Sequence, residues 1–266
     1  TPIKPAYSWE DLVLPESEIK LLKSALTHVK YRHKVYTEWG FSKKAAYGRG
    51  LSVLFSGPPG TGKTMAAQVI TNQLHMQLFK VQLSQIVSKY IGETEKNLRR
   101  VFTEAKNANC VLFFDETDAL FGKRSEVKDS HDRHANIETA YLLQQMEEYD
   151  GVVLMATNLL QNIDEAFMRR ISFVVAFPFP DAPTRKLLWR KAPTENIDYD
   201  FLAENFKMAG GNIKNCVIHA AFLAASEGSP IGMRHLLTGI VNEQRKNNTV
   251  VLREDLKQYA DLVFGE

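Results

Sequence analysis

The chain has 266 residues, 44% of them hydrophobic and 24% charged, with a formal net charge of +2. That is the composition of a globular protein long enough for one large domain or two small ones around a sizeable core. A balance so near neutral sets up no global field for nucleic acid or an anionic membrane, although local basic patches remain open. No apolar run approaches the roughly 18–20 residues that span a bilayer, which argues against membrane insertion. No secretory leader pattern opens the chain, and the start on Thr1 reads as a trimmed piece. Cys110 and Cys216 sit in apolar surroundings ("NANCVLFF", "KNCVIHAAF"). They read as two buried thiols of a reducing, cytoplasmic setting rather than as a disulfide.

Residues 1–15 read as extended, punctuated by Pro2, Pro5 and Pro15. "SEIKLLKSALTHVKYRHKV" then carries Ile19, Leu22, Leu26 and Val29 at helical spacing. A loop rich in Lys, Gly and aromatics follows ("WGFSKKAAYGRG"), and from there strands and helices alternate. "LSVLFSG" (51–57) predicts a strand, "TGKTMAAQVITNQL" a helix and "LFKVQL" a strand. "TEKNLRRVFTEAKNA" predicts a helix with Leu98, Val101, Phe102 and Ala105 on one face. "CVLFFDE" predicts a strand apolar on both faces, "ANIETAYLLQQMEEY" a helix, and "GVVLMATN" and "SFVVAF" two more strands. Such alternation predicts an α/β fold, a parallel sheet covered on both faces. After "PFPDAP" (178–183) helical periodicity runs alone to the end, predicting a small all-helical domain. The expected division is an α/β domain over residues 1–182 and a small helical domain over 183–266. No internal repeat interrupts either part.

"GPPGTGKT" (57–64) fits G-x-x-x-x-G-K-[ST] at Gly57, Gly62, Lys63 and Thr64, between a predicted strand and a predicted helix, as that motif requires. Glycines let the chain wrap closely and aim its N–H groups at phosphate oxygens, and a helix N-terminus adds positive potential. The expected ATP-binding residues are Gly57, Pro58, Pro59, Gly60, Thr61, Gly62, Lys63, Thr64 and Met65. Lys63 would reach the β- and γ-phosphates, and Thr64 would offer its hydroxyl to Mg2+.

"VLFFDETDAL" (111–120) ends an apolar strand in Asp115–Glu116, at the carboxyl end where ligands bind in open α/β sheets. Asp115 would hold Mg2+ through water, and Glu116 would orient and deprotonate an attacking water. The other reading is a helix-capping acid pair, and for Asp118, which lies past the strand, capping is the expectation. "VVLMATN" (152–158) ends a third core strand in Asn158, which in a parallel sheet reaches the same edge and could position water without competing for the metal.

Together these residues resemble the AAA+ ATPase superfamily, in particular the AAA branch that includes katanin and spastin. The resemblance runs from "WEDLVLP" to the helical end, and it implies a parallel-sheet P-loop NTPase domain followed by a helical lid. "SKYIGETEKNLR" is similar to the family's first pore loop, which implies that Lys89, Tyr90 and Ile91 grip an extended polypeptide in a ring's channel. The residues themselves are compatible: Gly92 permits a tight turn, and Thr94 is placed to cap the following helix. Packing of Tyr90 against its own domain is the other reading. "IDEAFMRRISFVVAFPFPD" (163–181) is similar to the arginine-finger region, which implies that Arg169 or Arg170 crosses to a neighbouring subunit's γ-phosphate. The consequence is a homo-oligomeric ring, commonly a hexamer in this family.

"MAGGNIKN" (208–215) opens the third lid helix, with Gly210 and Gly211 for flexibility and Asn212 placed to cap. Lys214 stands where many members carry a sensor 2 arginine, and either contacts the γ-phosphate weakly or faces solvent. Thr117 stands where the family often has alanine. "GKRSEVKDSHDRHAN" (122–136) corresponds to a second pore loop, and its Asp129, His131, Asp132 and His134 read as a solvated charge run rather than a metal site. The phrases "LFGKRSEVKD", "NIDEAFMRRI" and "GSPIGMRHLL" further resemble bacterial AAA ATPases encoded with contractile, phage-tail-like injection systems. The leading functional expectation is ATP-driven threading or remodelling of a protein. Two other readings stand beside it: a DNA-acting loader or helicase-like ATPase, disfavoured by the lack of a basic, aromatic-rich stripe, and a nucleotide-binding scaffold.

Overall fold

The computed structural model describes residues 2–43, 49–86, 93–118, 130–163, 165–192, 194 and 196–265. The chain forms two compact units: Thr1–Pro58 with Lys63–Phe177, and Pro59–Gly62 with Pro178–Glu266. The first holds a six-stranded sheet of β1 (Pro2–Ile3), β2 (Leu51–Ser56), β3 (Gln77–Gln82), β4 (Cys110–Asp115), β5 (Val152–Thr157) and β6 (Phe173–Ala176). The strand order is β1-β3-β4-β5-β2-β6. All neighbours pair in parallel except β1, which adds antiparallel to β3 through Pro2–Phe79 and Ile3–Leu78. Of the Pro-punctuated start only Pro2–Ile3 is strand, at a sheet edge where a missing N–H costs little, and Trp9–Asp11 turns as a 3-10 helix rather than staying extended.

Alternate residues of each strand face opposite sides, which is why these strands read as apolar throughout. Val53, Phe55, Val111, Phe113 and Leu154 point to one face, packed against Leu22 and Ala25 of α1 (Glu16–His33) and Val69 and Ile70 of α2 (Lys63–Gln73). Leu54, Leu112, Phe114 and Met155 point to the other, under Leu98 and Phe102 of α4 (Glu93–Ala108) and Leu142 and Met146 of α5 (Ser130–Glu148). Each of the larger of these side chains, from Val to Phe, contributes about 1.5–3 kcal/mol by burial. Between β3 and α4 lies the short α3 (Leu83–Ile86). The β6 edge is met by α1: the Glu18 carboxylate accepts the Ala176 N–H at 2.7 Å, pairing a backbone group that an open edge leaves free.

Helix α4 opens at Glu93, so Thr94, expected as its cap, lies within the first turn and is buried. Acidic residues in that turn suit the helix dipole, and Glu93 and Glu95 supply them.

The second unit packs α7 (Ala182–Trp189), α8 (Tyr199–Asn205), α9 (Gly210–Ser226), α10 (Met233–Lys246) and α11 (Ala260–Phe264) around Trp189, Leu202, Ile213, Leu236 and Ile240. The label α6 is kept for Glu165–Met168 in the first unit. Asp181 and Asp198 cap α7 and α8 by accepting the N–H of Thr184 at 2.9 Å and of Phe201 at 3.0 Å. Asn212, expected as a cap, instead lies inside α9 and donates to the Glu243 carboxylate at 3.0 Å. That buried acid also accepts from Asn215 and Lys246, at 3.0 and 2.7 Å. The helical periodicity expected to run to the end is broken near it: a 3-10 run over Arg253–Tyr259 precedes α11, and Lys257 turns left-handed (φ 47°), which an α-helix cannot accommodate. Among the described residues no helix is long and apolar enough to cross a membrane, and both cysteines are free and buried.

Candidate nucleotide site

The parallel register aligns the carboxyl ends of three adjacent strands. Ser56 of β2 pairs with Thr157 of β5, and Phe114 of β4 pairs with Met155 of β5. The residues that follow Ser56, Phe114 and Thr157 therefore emerge along one edge of the first unit, with β5 in the middle.

Gly57 leaves β2 by donating its N–H to Thr157 O at 3.1 Å. A Cβ there would stand 2.0 Å from Phe177 O, so the chain can pass only as glycine. At the other end of the loop Gly62 adopts φ 107°, a left-handed conformation that favours glycine. Lys63 and Thr64 are the first two residues of α2, so the helix's unpaired amides open onto this loop. Met65 is half-buried against the core. Pro59–Gly62 cluster with the second unit, in which Gly211 N–H donates to Gly60 O at 2.8 Å. The glycines of α9 serve that approach, since a Cβ on Gly211 would meet Gly60 Cα at 3.3 Å.

The Lys63 ammonium donates to Gly57 O at 2.6 Å, Pro58 O at 2.8 Å and Asn158 Oδ1 at 3.0 Å, matching its three protons. Burial lowers its pKa, against the opposing pull of Asp115 and Asp118. Asp115 is held from two sides: Oδ1 accepts the Glu116 N–H at 3.0 Å, and Oδ2 pairs with Lys80 at 2.6 Å. Glu116 is exposed, stands at φ 57° and accepts from the Ser84 hydroxyl of α3. A left-handed glutamate stores backbone strain, a feature that gathers at functional sites.

Asp118 ties two strand ends, whatever it does for the residues after it, which lie outside the described ones. Its carboxylate accepts the Thr157 hydroxyl and, at 3.1 Å, the Asn158 N–H, so it binds the β4 and β5 ends together and orients Asn158. Thr117 does the same from below, with its N–H and its hydroxyl both donating to Ala156 O, at 3.1 and 2.6 Å. Sequence reasoning missed the roles of Ser84, Lys80 and Thr117. For Lys80 a signal existed: it shares a strand face with Leu78, which is fully buried, so a lysine stands at a core-facing position.

The structure thus brings Lys63, Asp115, Glu116 and Asn158 to one edge. It does not bring Arg169 and Arg170 there. These lie just before β6, whose Phe173 pairs with Val53, and so sit at the opposite, amino-terminal edge. Both are exposed, Arg169 paired with Glu165 at 2.6 Å and Arg170 with Glu147. With Gly50, Ser52, Tyr149 and Ser172 they line a cleft of about 230 Å³. Lys214 is exposed on α9. Lys89, Tyr90 and Ile91 lie outside the described residues, as do the side chains of the 129–134 acid–histidine run. The Thr64 hydroxyl and the Asp115 carboxylate are hard oxygen donors, a set that fits Mg2+, which takes one or two protein ligands beside phosphates and water.

A strand, a glycine loop and a helix-opening lysine, beside an acid pair on a nearby parallel strand, define an α/β P-loop nucleoside triphosphatase. Residues 53–179 match the profile of the ATPase family associated with various cellular activities (AAA). They form an AAA domain, that of an ATP-hydrolysing enzyme. Among relatives, an uncharacterized AAA family ATPase, y4kL, of Sinorhizobium fredii is 31% identical over 180 residues, 68% of this chain and 52% of that protein. A proteasome-activating nucleotidase of Saccharolobus islandicus is 26% identical over 272 residues, 97% of this chain and 68% of its own length. Another, from Sulfurisphaera tokodaii, is 32% identical over 225 residues, 78% of this chain and 57% of its own. The chain thus spans about half of the first relative and 57–68% of these nucleotidases.

Proposed function

We propose that this protein uses ATP hydrolysis, in a ring of its own copies, to thread or remodel a polypeptide. The observation that carries the reading is the convergence of Lys63, Asp115, Glu116 and Asn158 at one sheet edge. Lys63 binds the phosphates. Glu116 takes the proton of the attacking water, which Asn158 helps to position. Thr64 and Asp115 would hold Mg2+, which supplies charge neutralisation on the phosphates.

Several observations support the ring. A six-residue strand such as β2 spans about 20 Å, and an arginine side chain is far shorter. Arg169 and Arg170 at the opposite edge therefore serve a γ-phosphate only if it belongs to another copy, where a guanidinium fork suits the developing charge. The alignment of nucleotidases named for proteasome activation along 97% of this chain favours a polypeptide over nucleic acid as substrate. Grip by Lys89, Tyr90 and Ile91, a γ-phosphate contact by Lys214, a hexameric ring and a cytoplasmic setting remain parts of the reading that rest on sequence. The katanin-like placement and the link to a contractile injection system rest on sequence phrases alone, since the relatives' names carry neither.

The test is ATP turnover per chain as a function of chain concentration, with Glu116→Gln as the blank. The expected result is a rate per chain that rises with concentration and vanishes in Glu116→Gln, which still binds nucleotide. A flat rate from a chain whose mass stays monomeric would overturn the shared site.

A further inference from the structure

The charge beside the metal-binding acid comes from an unexpected place. Strand β3 alternates, and Leu78, two residues before Lys80, is fully buried in the core beside Phe113. Lys80 therefore stands on a core-facing row, where lysine is rare because its ammonium loses water. Its stem runs along the neighbouring strand, with the ammonium 5.8 Å from the centroid of the Phe113 ring and 2.6 Å from Asp115 Oδ2. Both side chains are only 23% exposed, so solvent screens the pair weakly. With Glu116 N–H on Oδ1, each oxygen of the Asp115 carboxylate already has a donor.

We propose that Lys80 sets the divalent-cation threshold of the nucleotide site, as an internal cation that competes for Asp115. The inference rests on the reading of this edge as a Mg2+–nucleotide site and goes one step further within it. Two effects of the lysine oppose one another. By fixing the carboxylate it preorganises a ligand, which favours the metal. By placing a positive charge a few ångströms from a dication it opposes the metal. Coulomb repulsion between an ammonium and a dication served by the same carboxylate, at the effective dielectric of a half-buried site, would outweigh the freezing of one short side chain. The net effect is to raise the Mg2+ concentration at which the metal–nucleotide complex settles. A lysine here also leaves Asp115 charge-balanced beside Glu116 and Asp118 when the metal departs with the product.

The experiment follows binding rather than turnover. The full chain is titrated with fluorescent N-methylanthraniloyl-ADP at a series of buffered free Mg2+ concentrations and in EDTA. Lys80→Met is expected to reach half of its Mg2+-dependent tightening at about tenfold lower Mg2+ than the wild type. Affinity in EDTA should fall or stay level, never rise, because the lost charge also attracted the phosphates, and Lys80→Arg, which keeps the charge, should stay near wild type. Lys80→Gln carries the same expectation as Lys80→Met, and thermal melts identify which variant is folded. An unchanged or higher Mg2+ requirement in the folded variant, beside a wild type that does tighten with Mg2+, overturns the proposal and leaves the nucleotide site standing. A wild type whose ADP affinity ignores Mg2+ overturns the site reading and the proposal with it.

Discussion

The two ends of one sheet handle charge in opposite ways. At the carboxyl-terminal edge, Lys63, Asp115 and Asp118 each have at least two partners, mostly backbone groups or side chains from a neighbouring strand. Their positions follow from the strand register and shift only if the sheet shifts. At the amino-terminal edge, Arg169 pairs with Glu165 one helical turn away, both side chains exposed, and Arg170 pairs with the half-buried Glu147 on α5. An exposed pair such as Arg169–Glu165 contributes little to stability, about 0–1 kcal/mol, and exchanges partners easily. One edge is preorganised for a small anion, and the other presents cations that a separate molecule can claim. In the ring proposed above, the same sheet would supply half of a catalytic site to itself and the other half to a neighbour.

The contrast is broken most severely by exchanging halves between copies. Arg170→Ala is expected to reduce turnover about 1000-fold, at the lower end of what arginine fingers contribute, while leaving the melting temperature within a degree or so. Mixing it with the equally inactive Glu116→Gln should restore part of the rate, because the intact arginine of one chain completes the intact acid of the other. Mixtures that stay inactive over all ratios would place the arginine's role within its own chain. Arg169→Ala in the same assay decides which of the two acts.

A smaller loss is expected from Asp118→Ala. It strips acceptors from the buried Thr157 hydroxyl and from Asn158 N–H, at a cost of about 1–3 kcal/mol in stability. With Asn158 loosened, turnover should fall about tenfold while nucleotide affinity changes little. Steady-state kinetics beside a denaturant melt would separate the two, and a pure stability loss with normal turnover would reduce Asp118 to a structural tie.

The smallest effect is a pH effect that sharpens the comparison, because arginine does not titrate in the accessible range. Burial sets the Lys63 pKa below its ordinary 10.5. As pH rises through that lowered value the ammonium is lost, so nucleotide affinity should fall at a pH where an ordinary lysine is still charged. The linkage for folding has the opposite sign. The folded state disfavours the charged form, so this group's contribution to stability improves as pH climbs from the lowered value towards 10.5. As pH rises towards 10.5, binding and stability should therefore move in opposite directions, and Lys63→Met should remove this contribution from both.

Much of this was legible along the chain because it depends on near neighbours. A glycine loop between an apolar run and a helix, or an acid pair ending an apolar run, is a local pattern with one physical solution. The tandem "LSVLFSG", "CVLFFDE" and "GVVLMATN" announced a parallel sheet because strands buried on both faces need apolar residues at every position. The caps failed at Thr94 and Asn212 for a shared reason. Each is a residue type that caps well in isolation, but each was drawn inside its helix, Thr94 into the interior and Asn212 onto the buried Glu243.

The sequence by itself determined the class of the fold and the inventory of the site, because periodicity and motif spacing are written into consecutive residues. Only the tertiary structure decided the partnerships: that β5 lies between β4 and β2, so that Asn158 meets Lys63; that Asp118 ties the β4 and β5 ends together; that Lys80 reaches Asp115 from the next strand; and that Arg169 and Arg170 end at the far edge. Strand order and register join residues far apart along the chain, and the free energy that selects them is burial of both sheet faces at once, which no local pattern contains.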